Sequence, residues 1–172
     1  MFGEKFATRL NSFSSKPHVF WEKQASITTK NLIERAGSVK GLTDIDLNYP
    51  DHLKDNLDEI LKVVQDNRLR INGLAMRYYS NPAFKLGAFT NPDKQVRQEA
   101  IDLTKEAIDS ARKLDVNLIT LWLGQDGFDY GFQADYKKLW QDEIDAIREV
   151  TMHDKDCQIS IEYKPNEPRA YS

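Results

Sequence analysis

Apolar and polar positions along the chain follow two alternating periods. Short runs with a period near two, or nearly all apolar, lie at Lys5–Leu10, Leu42–Leu47, Ile71–Met76, Asn117–Leu123 and Cys157–Tyr163, and predict five strands. Longer stretches with helical spacing separate them. The clearest carries Leu53, Leu57, Ile60, Leu61 and Val64 as one stripe. Pro50 opens it, because a helix's first turn leaves its N–H groups unpaired anyway. A second helix starts at Asn91-Pro92, with Asn91 as the predicted N-cap, and buries Val96, Ala100, Leu103, Ala107, Ala111 and Leu114. Two more are predicted near Lys23–Ala36 and Ala134–Met152. The fourth strand (NLITLWL) is almost continuously apolar, as expected of a strand covered on both faces. The segment Arg77–Thr90 (RYYSNPAFKLGAFT) is long for a plain connection, so a functional loop or lid is expected there.

Strand and helix thus alternate about four times before a final strand, with spacings of roughly 30 to 45 residues, the size of a βα unit. The fold class is α/β with a parallel sheet and right-handed crossovers. Two architectures remain open at this level. One is a doubly wound sheet. The other is a (β/α)8 TIM-type barrel, which takes about 250 residues, so that this chain would hold about five strands and four helices of it. The glycine fingerprints GxGxxG and GxxxxGK[ST] are absent.

Length and charge narrow the partners. At 172 residues the chain is one domain, 1–172. It carries 24 Lys and Arg against 27 Asp and Glu, which argues against a broad basic face and so against a nucleic-acid partner. A lone cysteine, Cys157, leaves no disulfide framework or cysteine zinc cluster and is expected to be packed. No run approaches the roughly 20 apolar residues of a membrane helix, and the N-terminus lacks a signal peptide's apolar segment. A cytoplasmic protein without a membrane partner is expected. The chain stops soon after the fifth strand with no helix to follow, which suggests the N-terminal portion of a larger barrel.

Side chains alternate across a strand, so polar residues opposite the apolar ones share a face. In the fifth strand Ile159, Ile161 and Tyr163 are expected to meet helices, while Ser160, Glu162 and Lys164 face inward. In the second strand Asp44, Asp46 and Asn48 face inward, in the third Arg77, in the fourth Leu118, Thr120 and Trp122, and in the first Arg9 and Asn11. The strands' C-terminal ends, where barrel enzymes carry their chemistry, thereby collect polar and aromatic groups. Spacing alone reads Glu162 and Lys164 equally well as an ion pair at a strand end. His18 and His52 are expected to be exposed and His153 to close a helix. No two histidines have metal-ligand spacing.

The run Ile161-Glu162-Tyr163-Lys164-Pro165-Asn166-Glu167-Pro168-Arg169 resembles the xylose isomerase motif IEPKPNEPR, with only Tyr163 different. Leu121-Trp122-Leu123-Gly124-Gln125-Asp126-Gly127 is similar to that family's tryptophan-containing stretch after the fourth strand, roughly WGGREG. The chain as a whole resembles the N-terminal part of xylose-isomerase-like TIM barrels, which include sugar isomerases and epimerases. The resemblance implies aldose–ketose isomerisation of a small sugar assisted by Mn2+ or Mg2+. It implies Glu162 as a metal ligand, Lys164 as the catalytic group on a sugar oxygen, and Trp122 as an apolar wall that shields the reacting carbons. Glu167 matches the family's second glutamate. Asn48 and Arg77 are the further substrate-binding candidates. The family's other metal ligands lie on later strands, so the 172-residue chain is expected to be inactive alone and the intact protein a homo-oligomer. Where xylose isomerases carry a His–Asp pair for ring opening, this sequence reads Asp46-Leu47-Asn48-Tyr49-Pro50, with His52 displaced.

Three other readings stay open. A sugar epimerase shares the constellation. A phosphodiesterase of the related apurinic-endonuclease barrels is disfavoured by the scattered histidines and acidic balance. A shortened, non-catalytic relative acting as a binding or oligomerisation module is the third.

Overall fold

The computed structural model describes residues 5–21, 26–53, 57–128 and 130–163. Five strands, β1 (Ala7–Arg9), β2 (Asp44–Tyr49), β3 (Arg70–Met76), β4 (Leu118–Trp122) and β5 (Gln158–Glu162), form one sheet in the order β1-β2-β3-β4-β5. All four neighbouring pairs are parallel. Each strand lies beside its successor in sequence, with none of the order reversal that defines a doubly wound sheet, so the barrel-type winding is the one adopted.

The sheet is strongly curled. A flat sheet would set β1 and β5 about 19 Å apart, four strand spacings, which is more than two side chains can bridge. Yet Arg9 on β1 forms an ion pair with Glu162 on β5, across the concave face. A register shift between Ile45 and Asp46 adds to the twist, and the extra residue Asn72 donates its Nδ2 to Asp46 at 2.8 Å.

The convex face carries the core. Ile45, Leu47, Leu74, Met76, Ile119 and Leu121 are fully buried there. They pack with Leu32, Ile33 and Ala36 of α2 (Thr29–Gly37), Ile60 and Val64 of α3 (Leu57–Asp66), Ala100, Ala107, Ile108 and Ala111 of α4 (Lys94–Lys113), and Ala146 and Val150 of α5 (Tyr136–His153). A four-residue α1 (Pro17–Phe20) precedes them. The helix starts are chemically marked. Thr28 and Asn31 make a capping box, and Asp93 and Asp135 accept backbone N–H groups at the starts of α4 and α5.

Three expectations change here. The N-cap of α4 is Asp93; Asn91 acts one step earlier, accepting the Asp93 N–H at 3.0 Å and donating to Gly87 O at 2.8 Å. Pro50 follows a cis peptide and precedes a 3-10 turn, Asp51–Leu53, ahead of α3. Ile161 does point to the convex side, but it is 52% exposed, because no described element covers β5 there. The loop Arg77–Thr90 is ordered by two 3-10 turns, Tyr78–Ser80 and Pro82–Leu86. No helix among the described residues is long and apolar enough to cross a membrane.

Candidate functional site at the strand ends

The concave face is built in layers. Asn48, Ala75, Thr120 and Ser160 sit side by side in register across β2 to β5. Two residues further on, at the C-terminal ends, come Arg77, Trp122 and Glu162, with Trp122 and Glu162 directly paired. The period of two therefore brings an arginine, an indole and a carboxylate to one rim.

An aromatic wall joins two of them. Tyr79 meets Trp122 edge to face, with centroids 5.1 Å apart and an interplanar angle of 87°. The Arg77 guanidinium lies over the other side of this assembly, 4.5 Å from the Tyr79 centroid. Gly124 permits this arrangement: a Cβ there would stand 2.5 Å from the Trp122 ring.

The loop after β3 is tied to the loop after β4 by Asp126. Its carboxylate accepts the Ala88 N–H at 2.9 Å, and the Thr90 N–H and hydroxyl at 2.7 Å each. Gly87, at φ 114°, sits beneath, where a Cβ would come within 3.1 Å of both Asp126 and Thr90. Glu143 of α5 faces this carboxylate; burial, and then the Asp126 charge, push its pKa up to about 7. Tyr78, wholly buried, bonds Thr104 at 2.7 Å through its hydroxyl, and burial raises its pKa.

His52 is a correction. It is buried, not exposed, and its Nδ1 accepts the Asn48 N–H at 3.0 Å. Burial lowers its pKa to about 4, outweighing the nearby Asp51 charge, so the ring is neutral. Asn48 itself is 2% exposed and its Oδ1 has no partner among the described residues, as is true of Asn11 Oδ1 and Arg77 Nε. His18 is exposed, His153 closes α5 against Asp109 at 2.8 Å, and Cys157 is buried.

Of the predicted site residues, Asn48, Arg77, Trp122 and Glu162 gather on the concave, C-terminal side. Lys164 and Glu167 lie outside the described residues. Glu162 offers hard oxygen donors suited to Mn2+ or Mg2+, but its carboxylate is engaged by Arg9. No group of three or more His, Cys, Asp or Glu among the described residues could hold a metal ion. These residues by themselves do not fit a divalent-cation site. The sequence pattern missed Tyr79, which lies outside the strands and longer helices, and the clamp made by Asp126, whose partners are 36 and 38 positions away.

Residues 35–171 match a family model described as xylose isomerase-like TIM barrel. Over 112 residues the chain is 30% identical to the xylose isomerase of Thermus thermophilus, covering 63% of this chain and 29% of that protein. The fold is similar to D-psicose 3-epimerase from Clostridium cellulolyticum H10, with TM-score 0.62 and 19% identity over 92% of this chain and 51% of that one. It is also similar to D-allulose 3-epimerase from Methylomonas sp., with TM-score 0.65 and 14% identity over 91% and 50%. The chain thus spans about half the length of these solved structures and less than a third of the Thermus protein. Curled parallel sheet, sequential strand order and a family match over most of the sequence agree: the chain belongs to the xylose isomerase-like TIM barrel family.

Proposed function

We propose that this chain forms the N-terminal half of the active site of a sugar isomerase that interconverts an aldose and a ketose. The observation that supports this most is the rim layer, where Trp122 and Glu162 stand paired in register with Arg77 alongside. Trp122, backed by Tyr79, supplies an apolar wall against the sugar's carbon chain and keeps water from the reacting carbons. Lys164, two residues beyond Glu162 on the same alternation, donates to a sugar oxygen. Glu162 would hold a Mn2+ or Mg2+ together with ligands from outside the described residues, and the metal would polarise the sugar oxygens; in the structure its carboxylate is paired with Arg9. Glu167 and Asn48 are the further substrate contacts.

On this reading residues 1–172 are one incomplete domain and have no turnover alone. The decisive assay supplies aldoses and ketoses with Mn2+ to the full reading frame and to the 172-residue chain. Interconversion by the former, lost in Glu162→Ala, is the expected result. Turnover by the 172-residue chain, or an unaffected Glu162→Ala, refutes it.

One observation favours a second reading, epimerisation of a ketose. His52 is sealed beneath Asn48 as a neutral ring, so it is not placed to open a cyclic aldose as the family's His–Asp pair does. A product differing from its substrate only in configuration at one carbon would decide for it.

A further inference from the structure

Four described arginines are partly buried: Arg9, Arg35, Arg77 and Arg97. Three are satisfied. Arg9 is paired with Glu162, Arg35 donates to Phe20 O at 2.6 Å, and Arg97 donates to Asn91 O at 2.7 Å and faces Asp142 at 3.6 Å. The Arg77 side chain makes no hydrogen bond and no ion pair among the described residues. Its Nε is buried without a partner, and its contact is the Tyr79 ring. A partly desolvated guanidinium without an anion is costly, and such a group is retained where something outside the chain completes it.

No carboxylate among the described residues forms an ion pair with Arg77. Asp51, an acid close to this corner, already accepts the Ser80 hydroxyl at 2.7 Å. His52, the other titratable group near Arg77, is neutral. The guanidinium is also fixed in place, because the Tyr79 ring beneath it is braced by Trp122. A planar donor fork held rigidly at a binding rim suits an oxyanion that accepts two parallel hydrogen bonds.

We infer that Arg77 binds an anionic group, a phosphate or a carboxylate, carried by the sugar substrate. This deepens the sugar reading above, and the anion site itself requires neither the metal nor turnover. The substrate is then a phosphorylated sugar or a sugar acid lying along Trp122, with its charged end at β3.

The test is a titration of the 15N-labelled 172-residue chain and of its Arg77→Gln and Arg77→Lys variants, following the Trp122 indole N–H cross-peak, which all three share and which is assigned by its loss in Trp122→Phe. The probes are inorganic phosphate, a hexose 6-phosphate, a hexuronate and the neutral hexose. Saturable shifts with the anionic probes, at least about tenfold tighter than with the neutral hexose and lost in Arg77→Gln, are expected for a bidentate charge-assisted site. A tighter hexose 6-phosphate assigns the phosphate and a tighter hexuronate the carboxylate. No saturable shift with any anion, or equal response to the neutral hexose, overturns the inference. Arg77→Lys, which keeps the charge but not the fork, is expected to bind with about a tenfold loss, and an unchanged affinity there also overturns it. Because none of these readouts uses Mn2+ or activity, a failed isomerase assay leaves the anion result interpretable.

Discussion

β4 and β5 are paired residue for residue from Leu118–Gln158 to Trp122–Glu162, but β4 is almost continuously apolar where β5 alternates polar and apolar positions. Their fates differ. On β4, Ile119 and Leu121 are fully buried; on β5 their register partners are Ile159, half-buried, and Ile161, 52% exposed. Sequence pattern chooses the face, but burial depends on what packs against it, and helices cover β4 where no described element covers β5. The same contrast runs through the rim. Asn48 and His52 near β2 and Tyr78 after β3 are buried, whereas Glu162 on β5 is an exposed carboxylate held by one arginine.

The largest effect is expected at the covered strand. Leu121→Ala should lower unfolding free energy by about 3 kcal/mol, measured in urea, since it leaves a cavity beneath α4 and α5. Its register partner should respond far less: Ile161→Ala is expected to cost about 0.5 kcal/mol, and equal losses would erase the contrast.

The enclosed side also predicts pH behaviour. His52 has a folded pKa of about 4, below its usual 6.5, so the stability tied to its neutral form is intact above pH 6.5 and is lost as pH falls through 4. Urea titrations from pH 7 to 4 should show a loss of about 2–3 kcal/mol from this group. The His52 ring signals should stay those of the neutral form until about pH 4. Glu143 has the opposite sign. Its folded pKa of about 7 lies above the usual 4.5, so its contribution is complete below 4.5 and is lost as pH rises through 7. Glu143→Gln should therefore stabilise the chain at pH 8 by about 1–2 kcal/mol and have little effect at pH 4. Asn91→Ala is expected to cost about 1 kcal/mol, more than Ile161→Ala but less than the changes at fully buried positions, because Asp93 still caps α4 directly.

Much of the fold was legible in the sequence. The strands and the four longer helices lie on their apolar runs, because burial of one face imposes a period on the chain, but α2 starts at Thr29 rather than near Lys23 and α3 at Leu57 rather than at Pro50. Periodicity alone did not choose between doubly wound sheet and barrel, since both windings use the same βα repeat; the run from Ile161 to Arg169 did, through its resemblance to the xylose isomerase motif. Asn91-Pro92 has the composition of a helix start, but two successive side-chain caps share the job and Asp93 takes the inner one. His52 was misread because its burial comes with a bond from the backbone N–H of Asn48, four residues upstream and folded over it. At the site, alternation placed Asn48, Arg77, Trp122 and Glu162 on the concave side correctly. It did not show that Glu162 meets Arg9, a contact between residues 153 positions apart that only curvature creates.

On the proposed reading, Glu162 is a metal ligand whose partner ligands lie outside the described residues. The most direct test is the thermal midpoint with and without Mn2+, on this chain and on its full reading frame, because a ligand that binds only the folded form must raise it. The account predicts a Mn2+-dependent rise for the full frame, its loss in Glu162→Ala, and no shift for the 172-residue chain. A full frame indifferent to Mn2+ would contradict it and leave Arg9–Glu162 as a structural ion pair.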